Sequence, residues 1–128
     1  MATLREIRKV LQRSGEPRRR WFNCTEADLF VWTDRRGICA FEFCYDKGRD
    51  EHALLWRENG GFSHVGIDAG EDKPTRKRSP IAVADGQFDL PEMACRFESL
   101  GKCIDPRIYR FVLDTLRGKP RELDRKRR

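Results

Sequence analysis

The chain is expected to be an α+β protein, an antiparallel meander of four to five strands with two C-terminal helices packed on one face and a short N-terminal amphipathic helix. Three observations predict this. Period-two apolar alternation runs from Trp21 to Asp68 as four consecutive strands, interrupted by Asp34-Arg35-Arg36-Gly37 and Glu58-Asn59-Gly60-Gly61, both of which favour hairpin turns. Two segments in the last third carry an N-cap residue, a proline near the helix start and an apolar stripe at helical spacing. A length of 128 residues suits one domain with one core. The boundaries that follow are a domain over 1–118, a sheet over about 21–84, and a basic, disordered tail over 119–128.

Each element has its own signal. Thr3-Leu4-Arg5-Glu6 has the form of a capping box, and Leu4, Ile7, Val10 and Leu11 fall on one helical face, predicting a helix over about 4–13 that Ser14-Gly15-Glu16-Pro17 stops. The first strand runs from Trp21 into Thr33 with a break near Thr25 and Glu26. Leu29 and Val31 share one face, Phe30 and Trp32 the other, and two apolar faces point to a central strand. In the second strand Cys39, Phe41, Phe43 and Tyr45 alternate with Ile38, Ala40, Glu42 and Cys44. A charged turn, Asp46 to Glu51, leads to the second hairpin, 53–57 and 62–68. Residues 69–80 read as a loop, and Ile81 to Ala84 as an added edge strand. Asp89 and Asp105 cap helices over about 90–100 and 106–117, ended by Gly101 and Gly118.

The totals narrow the classes of function. Thirteen aromatic residues are too many for a disordered chain, and the absence of an apolar run of roughly 18 residues excludes a membrane-spanning helix. The basic first 20 residues lack the apolar core of a secretory signal, so the expected location is cytoplasmic. In that setting the five cysteines, an odd number, are expected to be free thiols. The net charge of +6 is uneven: residues 1–20 carry +5, residues 119–128 carry +4, and residues 21–118 carry −3. The ends are basic and the body is not.

Arg19-Arg20-Trp21-Phe22, Asp28-Leu29-Phe30-Val31-Trp32, Phe41-Glu42-Phe43-Cys44-Tyr45-Asp46-Lys47 and Ala53-Leu54-Leu55-Trp56 together resemble a family of small uncharacterised bacterial proteins, over roughly residues 19–118. The resemblance implies a bacterial cytoplasmic source and brings no activity and no catalytic residue.

Candidate sites are few. Cys39 and Cys44, five apart on one strand, are expected on opposite faces, a poor geometry for a shared metal, so neither metal nor cofactor is expected. Cys44 with His52 or His64 is the only thiol–imidazole pair near one sheet region. His64 shares a face with Phe62 and reads as structural, while His52 beside the charged turn reads as solvated. The densest polar cluster, around Glu42, Tyr45, Asp46, Lys47, His52 and His64, is the candidate ligand pocket, because loops on a rigid sheet can converge polar groups on a ligand. The leading expectation is a binding or interaction domain without a catalytic constellation, its partner a protein or small ligand. An enzyme with its site at the 42–52 turn is one alternative. Another is nucleic-acid binding through Arg18, Arg19, Arg20, Trp21, Arg125 and Arg127, cations for phosphate beside an aromatic for stacking. Docking of the N-terminal helix on anionic lipid is a third.

Overall fold

The structure, a computed structural model, describes residues 3–48, 51–66 and 89–118. Six strands form one antiparallel sheet in strictly sequential order: β1 (Arg5–Ile7), β2 (Arg18–Asn23), β3 (Ala27–Asp34), β4 (Gly37–Tyr45), β5 (His52–Arg57) and β6 (Gly61–Gly66). Two helices follow, α1 (Leu90–Leu100) and α2 (Pro106–Leu116). The α+β class and the meander hold, with six strands rather than four to five.

The turns follow from local chemistry. Between β3 and β4 the Asp34 carboxylate accepts from Arg36 N at 2.8 Å, and Gly37 takes φ +124°, a conformation that side chains disfavour. Between β2 and β3, Cys24 N donates to Ala27 O at 2.9 Å, so the long first strand of the sequence reading is two strands folded at Thr25 and Glu26. β3 is central, paired with β2 on one side and β4 on the other.

The principal correction lies at the N-terminus, where no helix forms over residues 4–13. Instead Arg5, Glu6 and Ile7 pair with Asn23, Phe22 and Trp21, extending the sheet. An isolated helix shorter than about 12 residues is marginal in water, whereas the β2 edge offers unpaired backbone groups and the core offers a site for Leu4. Leu4 is fully buried and its N–H donates to Leu100 O at 2.8 Å. Leu11, counted in the expected helical stripe, is 69% exposed. Glu6, read as the reciprocal member of a capping box, accepts from the Arg20 guanidinium at 2.8 Å through both carboxylate oxygens. Beyond β1, the Gln12 side chain substitutes for a strand partner: its amide donates to Arg19 O and its carbonyl accepts from Arg19 N, both at 2.8 Å. The lipid-docking reading loses its helix.

Register sorts the side chains onto two faces. Phe22, Leu29, Phe43, Leu54 and His64 are cross-strand neighbours on one face, as are Arg20, Val31, Phe41, Trp56 and Phe62 in the next row. The helices cover this face. Asp89 accepts from Glu92 N and Asp105 from Arg107 N as N-caps. The helices then deliver Met93, Ala94, Phe97, Ile108, Val112 and Leu116 into one core with the sheet. Phe43 meets Phe97 edge-to-face with ring centroids 5.8 Å apart, and Trp56 meets Phe111 in the same manner at 5.5 Å. Gly101 ends α1 where a Cβ would stand 2.9 Å from the Phe97 ring, so close packing requires glycine there.

A second correction concerns β4. Its pairing with β3 shifts register between Trp32 and Thr33, with Trp32 opposite Ala40 and Thr33 opposite Ile38. This β-bulge leaves Cys39 unpaired, turns Ile38 to the core and sets Cys39 with Ala40 on the other face. Cys39 and Cys44 therefore share a face. The strand expected at 81–84, the loop at 69–80 and the tail at 119–128 lie outside the described residues.

Candidate functional site: an aromatic groove on the sheet

The face away from the helices carries a groove of about 700 Å³. Its rows follow from the register: Trp21, Phe30, Glu42, Leu55 and Ser63 stand side by side on β2 to β6, and Arg19, Trp32, Ala40 and Arg57 form the next row on β2 to β5. The aromatic rings are contiguous. Trp21 stacks on Phe30 with centroids 5.8 Å apart and planes 13° apart, and Phe30 meets Trp32 at 6.2 Å. All three are half-buried, each offering ring surface to solvent.

Polar groups fix this platform. Asp28 accepts from the Trp21 indole N–H at 3.0 Å and from Asn23 Nδ2 at 2.7 Å, and it pairs with Lys47 Nζ at 3.1 Å. The Arg19 guanidinium donates to Leu11 O at 2.9 Å. At the groove floor Glu42 is 5% exposed, and the Cys44 thiol donates to its Oε2 at 3.4 Å. Burial, reinforced by the neighbouring Glu42 carboxylate, drives the Cys44 thiol far above the ordinary thiol range. Cys44 is thus a protonated donor rather than a nucleophile. Burial, with Asp34 close by, also raises Cys39, whose thiol donates to Trp32 O at 3.5 Å.

The residues of the expected pocket divide between the two faces. Glu42 lines the groove. Tyr45, His52 and His64 lie on the helix side, where the Tyr45 hydroxyl hydrogen-bonds to His64 Nε2. His52 and His64 stack in parallel with centroids 5.0 Å apart, and Tyr45 stacks on each. His52, read as solvated, is half-buried because this stack holds it. Asp46 and Lys47 share a depression of about 360 Å³ with Tyr45 and Arg96, but each is paired, Asp46 to Arg96 and Lys47 to Asp28, both at 3.1 Å. Cys44 sits across the sheet from both histidines, because it pairs with Ala53 while His52 pairs with Tyr45. Period two separates them.

Of the residues in the nucleic-acid reading, Arg19 and Trp21 line the groove. Arg18 is exposed at the start of β2. Arg20 points to the helix side, bound to Glu6 and, at 3.3 Å, to Asp105, with its guanidinium over Phe22. Arg125 and Arg127 lie outside the described residues. The groove residues that sequence reasoning left unassigned include Asp28, Phe30, Trp32 and Arg57. Their shared face could be found from alternation for Phe30 and Trp32, but pairing Trp32 with Ala40 and Arg57 required the bulge.

Among the described residues no group of three His, Cys, Asp or Glu side chains could hold a metal ion. Nor is any helix among them long and apolar enough to cross a membrane. In comparisons with known proteins, the chain matches no family model, no curated protein and no solved structure.

Proposed function

We propose that the protein is a binding domain whose ligand lies in the groove opposite the helices, over Trp21, Phe30 and Trp32. The single observation that carries this reading is the row of three half-buried rings in successive contact along a concave surface, with Trp21 held by Asp28 before any ligand arrives. Concave, mostly apolar surfaces with a few convergent polar groups are where ligands bind, and rings held in place lose little entropy on binding. An enzymatic site at the 42–52 turn draws less support: the carboxylate of Glu42 and the imidazoles of His52 and His64 occupy opposite faces, and the Cys44 thiol is held protonated. The reading includes a cytoplasmic setting, supported by five unpaired thiols, which persist in reducing compartments.

The test is a screen of planar aromatic compounds against the full chain, read by tryptophan fluorescence and repeated with Phe30→Ser. Compounds that bind the wild type are expected to bind the variant at least tenfold more weakly while its melting profile stays cooperative. Hits whose affinity is indifferent to Phe30→Ser would place the ligand elsewhere.

A further inference from the structure

We infer that the ligand of this groove is single-stranded nucleic acid, with bases stacked on the aromatic row and phosphates held by arginines at one end of the sheet. The inference rests on the groove reading above and adds the chemistry of the occupant.

Charge is the first argument. Antiparallel order brings the start of β2, the end of β3, the start of β4 and the end of β5 to one end of the sheet, and with them Arg18, Arg19, Arg35, Arg36 and Arg57. Acidic residues there are Glu16, Asp34 and Glu58, and Asp34 is engaged with the Arg36 backbone. Among the described residues the opposite end carries Glu26, Asp28, Asp46 and Glu51 with Arg5, Lys47 and Arg96, of which Lys47 and Arg96 are paired to Asp28 and Asp46. Among the described residues, Arg18, Arg35, Arg36 and Arg57 enter none of the ion pairs, unlike Arg20, Arg96 and Arg117. Among the described residues the two ends of the sheet thus differ in charge, and Arg19 and Arg57 bring the basic end into the groove lining. The groove lining also holds Asp28, Glu42 and Glu51, so phosphates are assigned to the arginine end alone, where unneutralised arginines beside an aromatic surface complement a polyanion that carries π-faces.

Spacing is the second argument. Trp32 on β3 and Arg57 on β5 flank Ala40 on β4, so their backbones stand about 9–10 Å apart, two interstrand spacings, with a methyl between them. A flat ring held between two surfaces needs two van der Waals contacts, about 7–8 Å in all. A base stacked on the Trp32 indole therefore has room over Ala40, with the Arg57 side chain on the far side available to its phosphate. Trp21 and Phe30 continue the stacking surface into the next row.

Length is the third. Arg19 on β2 and Arg57 on β5 stand three interstrand spacings apart, about 14 Å, with aromatic surface between them. A mononucleotide brings one base and one phosphate cluster, whereas linked nucleotides engage the rings and both flanking cations together. A duplex cannot, because its bases are already stacked inside and these rings are recessed in a groove.

The experiment measures fluorescence anisotropy of labelled dT12 and rU12 with the full chain, against a hairpin duplex, thymidine monophosphate and inorganic polyphosphate, in a salt series. The single strands are expected to bind more tightly than the duplex and the mononucleotide. Their affinity should fall with log salt at a slope of about −2, from roughly three phosphate contacts at about 0.7 each. Trp32→Ala is expected to weaken binding by about 5- to 150-fold with the salt slope unchanged, Trp32→Phe to restore most of it, and Arg57→Ala to reduce the slope by about 0.7. If Trp32→Ala proves unfolded by circular dichroism, Trp32→Phe against Phe30→Leu serves the same comparison. Equal binding by wild type and the ring variants, or full displacement by polyphosphate, would assign binding to the basic termini and overturn the inference. Aromatic compounds that bind in the groove while neither oligonucleotide does would overturn it too, leaving the groove reading intact. Failure of both would remove both.

Discussion

Trp21 is held in the groove by Asp28: the indole N–H reaches diagonally across the β2–β3 pair to Asp28 Oδ1 at 3.0 Å. Diagonal cross-strand neighbours stand near enough for long side chains to meet, and here the contact fixes the outermost ring of the platform. Asp28→Ala is expected to lower stability by about 1–3 kcal/mol in urea unfolding, since it strands the indole and Asn23 donors and the partly buried Lys47 ammonium. It should also shift the Trp21 indole N–H resonance. Asp28→Asn keeps an acceptor and is expected to cost less.

The shared core of sheet and helices depends on Phe97, fully buried against Phe43 and Tyr109. Phe97→Ala is expected to cost about 3–5 kcal/mol, while Leu11→Ser, at an exposed position, should stay within about 0.5 kcal/mol of wild type. Gly101→Ala, which drives a methyl against the same ring, should cost about 1–3 kcal/mol. Chemical unfolding curves check all three.

Acid sensitivity should localise at the N-terminal strand. The hydrogen bond from Arg20 holds the Glu6 carboxyl below its ordinary value of 4.5. For Asp105 the Arg107 backbone N–H is the first cause and Arg20 a lesser one, together holding it below 3.8. Carboxyls depressed in the folded state contribute stability that is complete above those ordinary values and is lost as pH falls through the lower folded ones. Arg20→Gln is therefore expected to be less stable than wild type at pH 7, the gap narrowing below about pH 4. A gap that stays constant from pH 7 to pH 3 would contradict the pairing.

Thiol titration should follow burial. Cys95 and Cys103 are exposed and should react first with a disulfide reagent at neutral pH, Cys39 slowly, and Cys24 and Cys44 only on unfolding. The raised Cys44 makes fast labelling at that position the contrary result.

Much of this fold is readable from residue spacing, and the failures have local causes. Alternation finds β4 because Phe41, Phe43 and Tyr45 sit on one buried face, and the helix caps at Asp89 and Asp105 act through side-chain oxygens that any reader of the sequence can name. The N-terminal segment fails because Leu4, Ile7 and Val10 satisfy helical spacing, while what decides its structure is the open β2 edge, a tertiary opportunity absent from local pattern. The groove is half legible. Phe30 and Trp32 announce a shared face, but Trp21 joins them only through the β2–β3 register, and the bulge at Cys39, which reverses the orientation of Ile38 and Cys39, has no signal in residue type. The polar cluster around the 46–52 turn is dense in sequence, yet strand alternation sends Glu42 to one face and Tyr45 to the other.

The most direct measurement uses the three tryptophans as reporters. Trp21 and Trp32 line the groove with their neighbour Phe30, whereas Trp56, which also borders the groove, turns its ring to Phe41 and Phe111 on the helix side. In an NMR titration of the full chain with dT12 or with an aromatic compound that binds, the indole N–H signals of Trp21 and Trp32 should move together while that of Trp56 stays in place. Movement confined to Trp56 and the imidazoles of His52 and His64, with Trp21 and Trp32 unchanged, would contradict the assignment of the groove as the binding surface.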